Sequence, residues 1–161
     1  MNTKLKLATL GLLAAGVLSI APAFAASTTH TLSVSANVTG NCRLNSAGPT
    51  AVTIANSGGA IDPTVAIDAT GTANVAFRCT TGTTSTIAAN NGANFTTSRR
   101  VAQGTNFMPY ALALVGTAQV GTGHGAGQDK TLGVTATIVQ ADFVNAAAGA
   151  YADTVILTIT P

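Results

Sequence analysis

An all-β domain, a sandwich or barrel of short strands, is the fold class this 161-residue chain predicts. Three observations carry the prediction. Beyond residue 26 no stretch sustains the 3.6-residue apolar spacing of an amphipathic helix. Short runs rich in Val, Ile, Thr and Ala recur instead, many of them alternating apolar with polar residues. Between the runs stand NSGGAIDP, TTGTT, NNGAN and GTGHGAGQDK, whose Gly, Asn, Asp and Pro residues form turns. Short strands with turn signals at such intervals suit a sandwich or a barrel.

The N-terminus reads differently from the rest. Met1–Lys6 carries Lys4 and Lys6, and Leu7–Ile20 is a predominantly apolar run. That run is shorter than the ~20 residues that cross a bilayer. The small residues of Ala23-Phe24-Ala25 that follow suit a cleavage site. Residues 1–25 are therefore expected to be a cleaved signal peptide, with export of the remainder and no membrane insertion.

The first strand candidate is HTLSVSANV at 30–38, where Leu32, Val34, Ala36 and Val38 alternate with Ser33, Ser35 and Asn37. It starts almost at the mature N-terminus. Residues 26–41 reach roughly 50 Å when extended, far enough to leave their own domain. Further candidates are TAVTIA (50–55), TVAIDA (64–69), ANVAFRC (73–79), TSTIAA (84–89), PYALALVG (109–116), TLGVTATIV (131–139) and DTVILTIT (153–160). QADFVNAAAGA (140–150) reads as a connection kept short by Gly149. In the last strand Val155, Leu157 and Ile159 share one face, and Thr154, Ile156, Thr158 and Thr160 share the other.

Loss of residues 1–25 removes Lys4 and Lys6, and with them the net charge. Arg43, Arg78, Arg99, Arg100 and Lys130 then balance Asp62, Asp68, Asp129, Asp142 and Asp153. A neutral chain offers no electrostatic case for binding nucleic acid or anionic lipid. Charged residues make up 7% of the sequence, against about a quarter in ordinary soluble domains. Such a surface suits packing against copies of itself.

Cys42 and Cys79, exported to an oxidising compartment, are expected to pair. A metal site would need further ligands, and His30 and His124 stand at no ligand spacing from either cysteine. Ser98 has no nucleophile-elbow glycines around it. Gly121, Gly123, Gly125 and Gly127 precede no strand-to-helix transition, so they form no phosphate loop. The expectation is a protein without cofactor or metal and not an enzyme.

Four stretches occur in a telling order: an alternating segment running into TGNC, VAFRCTTGTT closing a strand on the second cysteine, SRR followed by YALAL, and the final GAYADTVILTIT. Together they resemble the spore coat protein U domain family, which includes subunits of archaic chaperone–usher pili. The resemblance covers the whole mature chain. Its most specific part is Gly149-x-Tyr151-x-Asp153, followed by the Cys42 and Cys79 pair in context. This sequence departs from many relatives in ending on Pro161 and in a short, Gly-rich 110–130 region.

The resemblance implies an incomplete immunoglobulin-like β-sandwich at 39–161, lacking its last strand, behind a donor-strand extension at 26–38. Strand addition would complete it. A periplasmic chaperone would lend a strand first. At the outer-membrane usher, the extension of the next subunit would replace it and build a homopolymer. Leu32, Val34, Ala36 and Val38 are the implied plugs. Val155, Leu157 and Ile159 would line the acceptor groove or the core behind it, and the alternation leaves either face of that strand open to the donor. The strand at the chain end would thus take its second neighbour from another molecule. The implied role is a pilus subunit for surface attachment and biofilm formation, periplasmic in transit and then at the cell surface. A secreted coat protein of the same fold and a monomeric periplasmic binding protein are the alternatives.

Overall fold

A computed structural model describes residues 26–45 and 48–161. The signal peptide expected at 1–25 lies outside the described residues. The chain divides into two units, Met1–Ala36 and Asn37–Pro161. In the first, residues 26–36 form neither helix nor strand, and their side chains are exposed.

The second unit contains, among the described residues, β1 (Cys42–Leu44), β2 (Ala69–Cys79), β3 (Thr84–Ala89), β4 (Arg100–Gln103), β5 (Asn106–Pro109), β6 (Ala111–Val115), β7 (Ala118–Val120), β8 (Lys130–Ile138), the single-turn α1 (Gln140–Phe143) and β9 (Leu157–Thr160). One sheet runs β1-β2-β8-β6, a second runs β7-β3-β9, and β4-β5 is a separate hairpin. The strand pairs are antiparallel. This is the all-β sandwich the sequence predicts, with open sheets.

Period-two patterning explains how the sheets face each other. On β2, Ala69, Val75, Phe77 and Cys79 are buried; on β8, Leu132, Val134, Ala136 and Ile138 are buried. The register sets Ala69 opposite Ile138 and Val75 opposite Leu132, so directly opposed residues project into one interior. From the other sheet, Ile87 of β3 and Leu157 and Ile159 of β9 pack onto Val75, Phe77, Leu132 and Val134. A second cluster gathers Ala69, Met108, Tyr110, Ala136, Ile138 and Phe143 beyond it.

Cys42 pairs with Cys79 in the β1–β2 register and the two are disulfide-bonded, with Cα atoms 4.1 Å apart. The bond ties a three-residue edge strand to the longest strand of the sheet. On the opposite side of β2, Arg78 donates two hydrogen bonds to Asp129, at 2.8 and 2.9 Å, and a third to the His124 carbonyl at 3.1 Å. This fastens the Gly-rich 121–130 loop.

The structure differs from the sequence reading at several elements. The candidate strands at 73–79, 84–89, 109–116, 131–139 and 153–160 are present, in part lengthened or shortened. Residues 30–38 form no strand. At 50–55 only Ala55 makes a bridge, to Thr70. The 64–69 run forms no strand of its own: turns and bends lie within 64–67, and Ala69 opens β2. Asn56 Nδ2 donates to Asp62 O at 3.0 Å, its Oδ1 accepts from Asp62 N at 2.7 Å, and Asp62 caps Thr64. The β4–β5 hairpin, turning at Gly104 with φ 59°, and the short β7 are additions.

Candidate strand-accepting groove

The sandwich is open along one side. The open side is a cleft of about 880 Å3. Its floor is apolar: Val75, Val134, Ala136 and Ile138 from the large sheet, with Met108, Leu112 and Phe143 around them. One lip is Thr50–Ile54. The other is the chain from Ala146 through Asp153 to Val155 and Leu157.

Both lips have unused main-chain groups. On the C-terminal lip the even-numbered residues are paired. Ala152 exchanges two hydrogen bonds with Ala102 of β4, Thr154 O accepts from Ala93 N, and Ile156 O accepts from Asn90 N. The Ile156 N–H donates to Asn90 Oδ1 at 2.9 Å. Among the described residues, the main chains of Tyr151, Asp153 and Val155 have no hydrogen-bond partner. The alternation continues into β9. Ile87 turns its N–H to Thr117 O on the far side of β3, so Leu157 and Ile159 direct their main-chain groups away from β3. The odd-numbered residues from Tyr151 to Ile159 therefore form one unpaired edge. The same residues are the half-buried ones, while Thr154, Ile156, Thr158 and Thr160 are exposed.

The N-terminal lip mirrors this. Thr50–Ile54 makes no hydrogen bond among the described residues. Val52 and Ile54 nevertheless pack inward. Gly71 permits the approach, because a Cβ on that residue would collide with the Thr53 carbonyl. An edge of free N–H and C=O groups on either side of an apolar cleft is the form a sheet takes when it awaits a strand.

A polar contact set fixes the C-terminal lip. Asp153 Oδ2 accepts from the Tyr110 hydroxyl at 2.7 Å, and Oδ1 accepts from Asn94 N at 3.0 Å and Asn94 Nδ2 at 3.1 Å. Burial, reinforced by the Asp153 hydrogen bond, pushes the Tyr110 hydroxyl's ionisation well above its usual range. The Tyr151 hydroxyl donates to Ala147 O at 3.0 Å, closing the small-residue loop below it. Gly149 has φ 149° and lies against the Gln103 amide where a Cβ would have no room. Arg99 donates to Asn90 O and Arg100 to Asn94 O, steadying the loop that supplies Asn94.

Residues 28–158 match the family model of the Spore Coat Protein U domain. The chain belongs to that family. No curated protein sequence matches this Spore Coat Protein U domain chain. One solved structure with partial similarity is the chaperone–tip adhesion subunit pre-assembly complex from the archaic chaperone-usher Csu pili of Acinetobacter baumannii. It aligns at 19% identity and a TM-score of 0.45, covering 76% of this chain and 40% of the other. This chain thus spans less than half the length of that one.

Of the residues singled out from the sequence, Val155 and Leu157 line the cleft. Ile159 packs on the core behind it. Gly149, Tyr151 and Asp153 sit together on the C-terminal lip. Leu32, Val34 and Val38 are 79%, 84% and 79% exposed, and Ala36 is exposed as well. Sequence reasoning missed Tyr110, Asn94 and the unpaired state of Thr50–Ile54. The tyrosine in PYALAL is the one signal that pointed there: a lone Tyr in a strand of small residues needs a partner for its hydroxyl once buried. Among the described residues no cluster of three His, Cys, Asp or Glu side chains could hold a metal ion, and no helix is long and apolar enough to cross a membrane.

Proposed function

We propose that this Spore Coat Protein U domain protein is a structural subunit of an archaic chaperone–usher pilus that polymerises by donor-strand exchange. The observation that carries the reading is the apolar cleft between two lips whose main-chain groups are unpaired. Residues 39–161 form the acceptor domain, and residues 26–38 of another copy form the donor.

The lengths agree. The alternating run 30–38 and the unpaired edge 151–159 each contain nine residues. Laid along the edge, the donor exchanges main-chain hydrogen bonds with the odd-numbered residues from Tyr151 to Ile159. Leu32, Val34, Ala36 and Val38 enter the cleft, while Ser33, Ser35 and Asn37 face solvent. Burying a Val or Leu side chain contributes about 1.5–3 kcal/mol, so the three larger plugs supply on the order of 5 kcal/mol before the ladder forms.

Export by the segment at 1–25 delivers the chain to the periplasm. There a chaperone strand shields the cleft until an outer-membrane usher exchanges it for the next subunit's extension. The assembled homopolymer serves attachment and biofilm formation at the cell surface. Deletion of residues 26–38 tests the reading. The truncated protein co-purifies with its chaperone but forms no fibres by electron microscopy. Fibres from the truncated chain would refute the donor assignment.

A further inference from the structure

The unpaired edge raises a physical difficulty. A segment held from one side only has freedom to lose when a strand arrives, and such losses weaken and slow binding. Tyr151–Val155 is outside the regular β3–β9 ladder, yet it is extended toward the cleft. Beyond the single Ala152–Ala102 bridge to β4, something other than a strand ladder holds it.

We propose that the Asp153 contact set is the positioning device for strand capture, holding Tyr151–Val155 open and aligned before the strand arrives. This rests on the reading of the cleft as a strand acceptor. Asp153 lies in the inward phase, between Tyr151 and Val155, where an unpartnered carboxylate would face an apolar cleft. Its two oxygens instead take hydrogen bonds from separate elements. Asn94 comes from the loop after β3, and Tyr110 stands between β5 and β6. With Ala152 bridged to β4 on one side, these contacts fix the direction of the chain on both sides of Asp153. The main chains of Tyr151, Asp153 and Val155 are then aimed into the gap. Asp153 and Tyr110 do not exchange the strand themselves. They set how often the empty edge is in the accepting geometry.

Positioning and general stabilisation make different predictions. A positioning contact acts on the empty cleft. Once a strand is bound, the ladder holds Tyr151–Val155 from the other edge and the contact becomes redundant. Removing it therefore slows association and leaves dissociation nearly unchanged.

The test uses the mature chain, residues 26–161, at nanomolar concentration with an excess of fluorescent peptide of residues 26–38, followed by anisotropy. Tyr110→Phe keeps the ring and removes the hydroxyl. Its association rate falls about tenfold, the weight of one charge-assisted hydrogen bond. Its dissociation rate stays within about twofold of wild type. Asn94→Ala behaves the same way, and hydrogen exchange at the Ala152 and Ile156 amides, which are bonded to Ala102 O and Asn90 Oδ1, speeds up in the empty chain of both variants. An unchanged association rate overturns the proposal, as does a slower association matched by an equal rise in dissociation. If the wild-type chain captures the peptide no better than a Val34→Asp peptide, the acceptor reading itself fails, which is a separate outcome.

Discussion

Breaking the Cys42–Cys79 disulfide is the most informative perturbation of the β-sandwich. The bond closes a loop of sequence separation 37. By the chain-entropy relation, closing such a loop restricts the unfolded chain by about 4 kcal/mol. For a domain of this size that corresponds to about 15 °C in unfolding midpoint. The local structure adds a second effect. β1 contributes only three register pairs, and Thr50–Ile54 beyond it has no hydrogen bond among the described residues. The disulfide is therefore the firmest tie on the N-terminal lip. The assay is thermal unfolding by circular dichroism of the oxidised chain, the reduced chain and the Cys42→Ala/Cys79→Ala double variant. Reduction keeps both sulfurs in place and isolates the cross-link; the double variant adds the loss of packing around the fully buried Cys79. The reduced chain is expected to melt about 15 °C lower and to capture the 26–38 peptide poorly below that midpoint. If oxidised and reduced chains melt within about 3 °C and capture peptide equally, the lip does not depend on the cross-link and the reasoning fails.

Further outcomes follow from individual contacts. Gly71→Val drives a side chain into the Thr53 carbonyl, so it lowers stability by about 1–3 kcal/mol in denaturant titration and displaces the lip. Val34→Asp in the full chain places a carboxylate in the apolar cleft, and sedimentation shows subunits that no longer assemble. Arg78, bonded to Asp129, holds that carboxyl below the ordinary range. A lowered folded-state value stabilises above the usual aspartate range and is lost as pH falls below it. The melting difference between wild type and Asp129→Asn therefore closes on acidification. The raised ionisation of Tyr110 acts in the opposite direction. Its contribution is complete below pH about 10, the usual tyrosine value, and lost as pH climbs beyond. Tyr110→Phe accordingly flattens the alkaline limb of the stability profile.

Residue patterning made some elements legible and left others hidden, for physical reasons. β2, β3, β6, β8 and β9 are written in alternation because each has one buried face, and Phe77, Leu132 and Ile138 mark that face. The β4–β5 hairpin was hidden because its residues, Arg100 through Pro109, are mostly half-exposed. It is held by cross-strand pairing and by Arg100 stacking 4.0 Å from the Phe107 ring centroid, neither of which leaves a periodic trace. The runs at 30–38 and 50–55 have the alternation of strands without a ladder. Alternation records fitness for a pleated, half-buried surface rather than possession of a partner. Of the candidate site, Gly149, Tyr151, Asp153, Val155 and Leu157 stood out in the sequence, but alternation alone left open which face of the last strand turns inward. Tyr110 and Asn94 did not stand out, because each meets Asp153 across a separation of 43 or 59 residues.

The placement of the charged groups has a consequence for how copies meet. Arg99 and Arg100 are turned onto carbonyls of the 90–94 loop, Arg78 onto Asp129, and Asp153 into the interior. Asp68 accepts from the Gln140 N–H at the start of α1. Most of the ten charged side chains of residues 26–161 are thus used for internal fastening. What faces outward is dominated by Thr, Ser, Ala and Asn. Two such bodies neither attract nor repel over distance, so dissolved salt has little to screen. On the proposed assembly of copies, the rate at which they meet is expected to be set by diffusion and by shape, level from fresh water to brine.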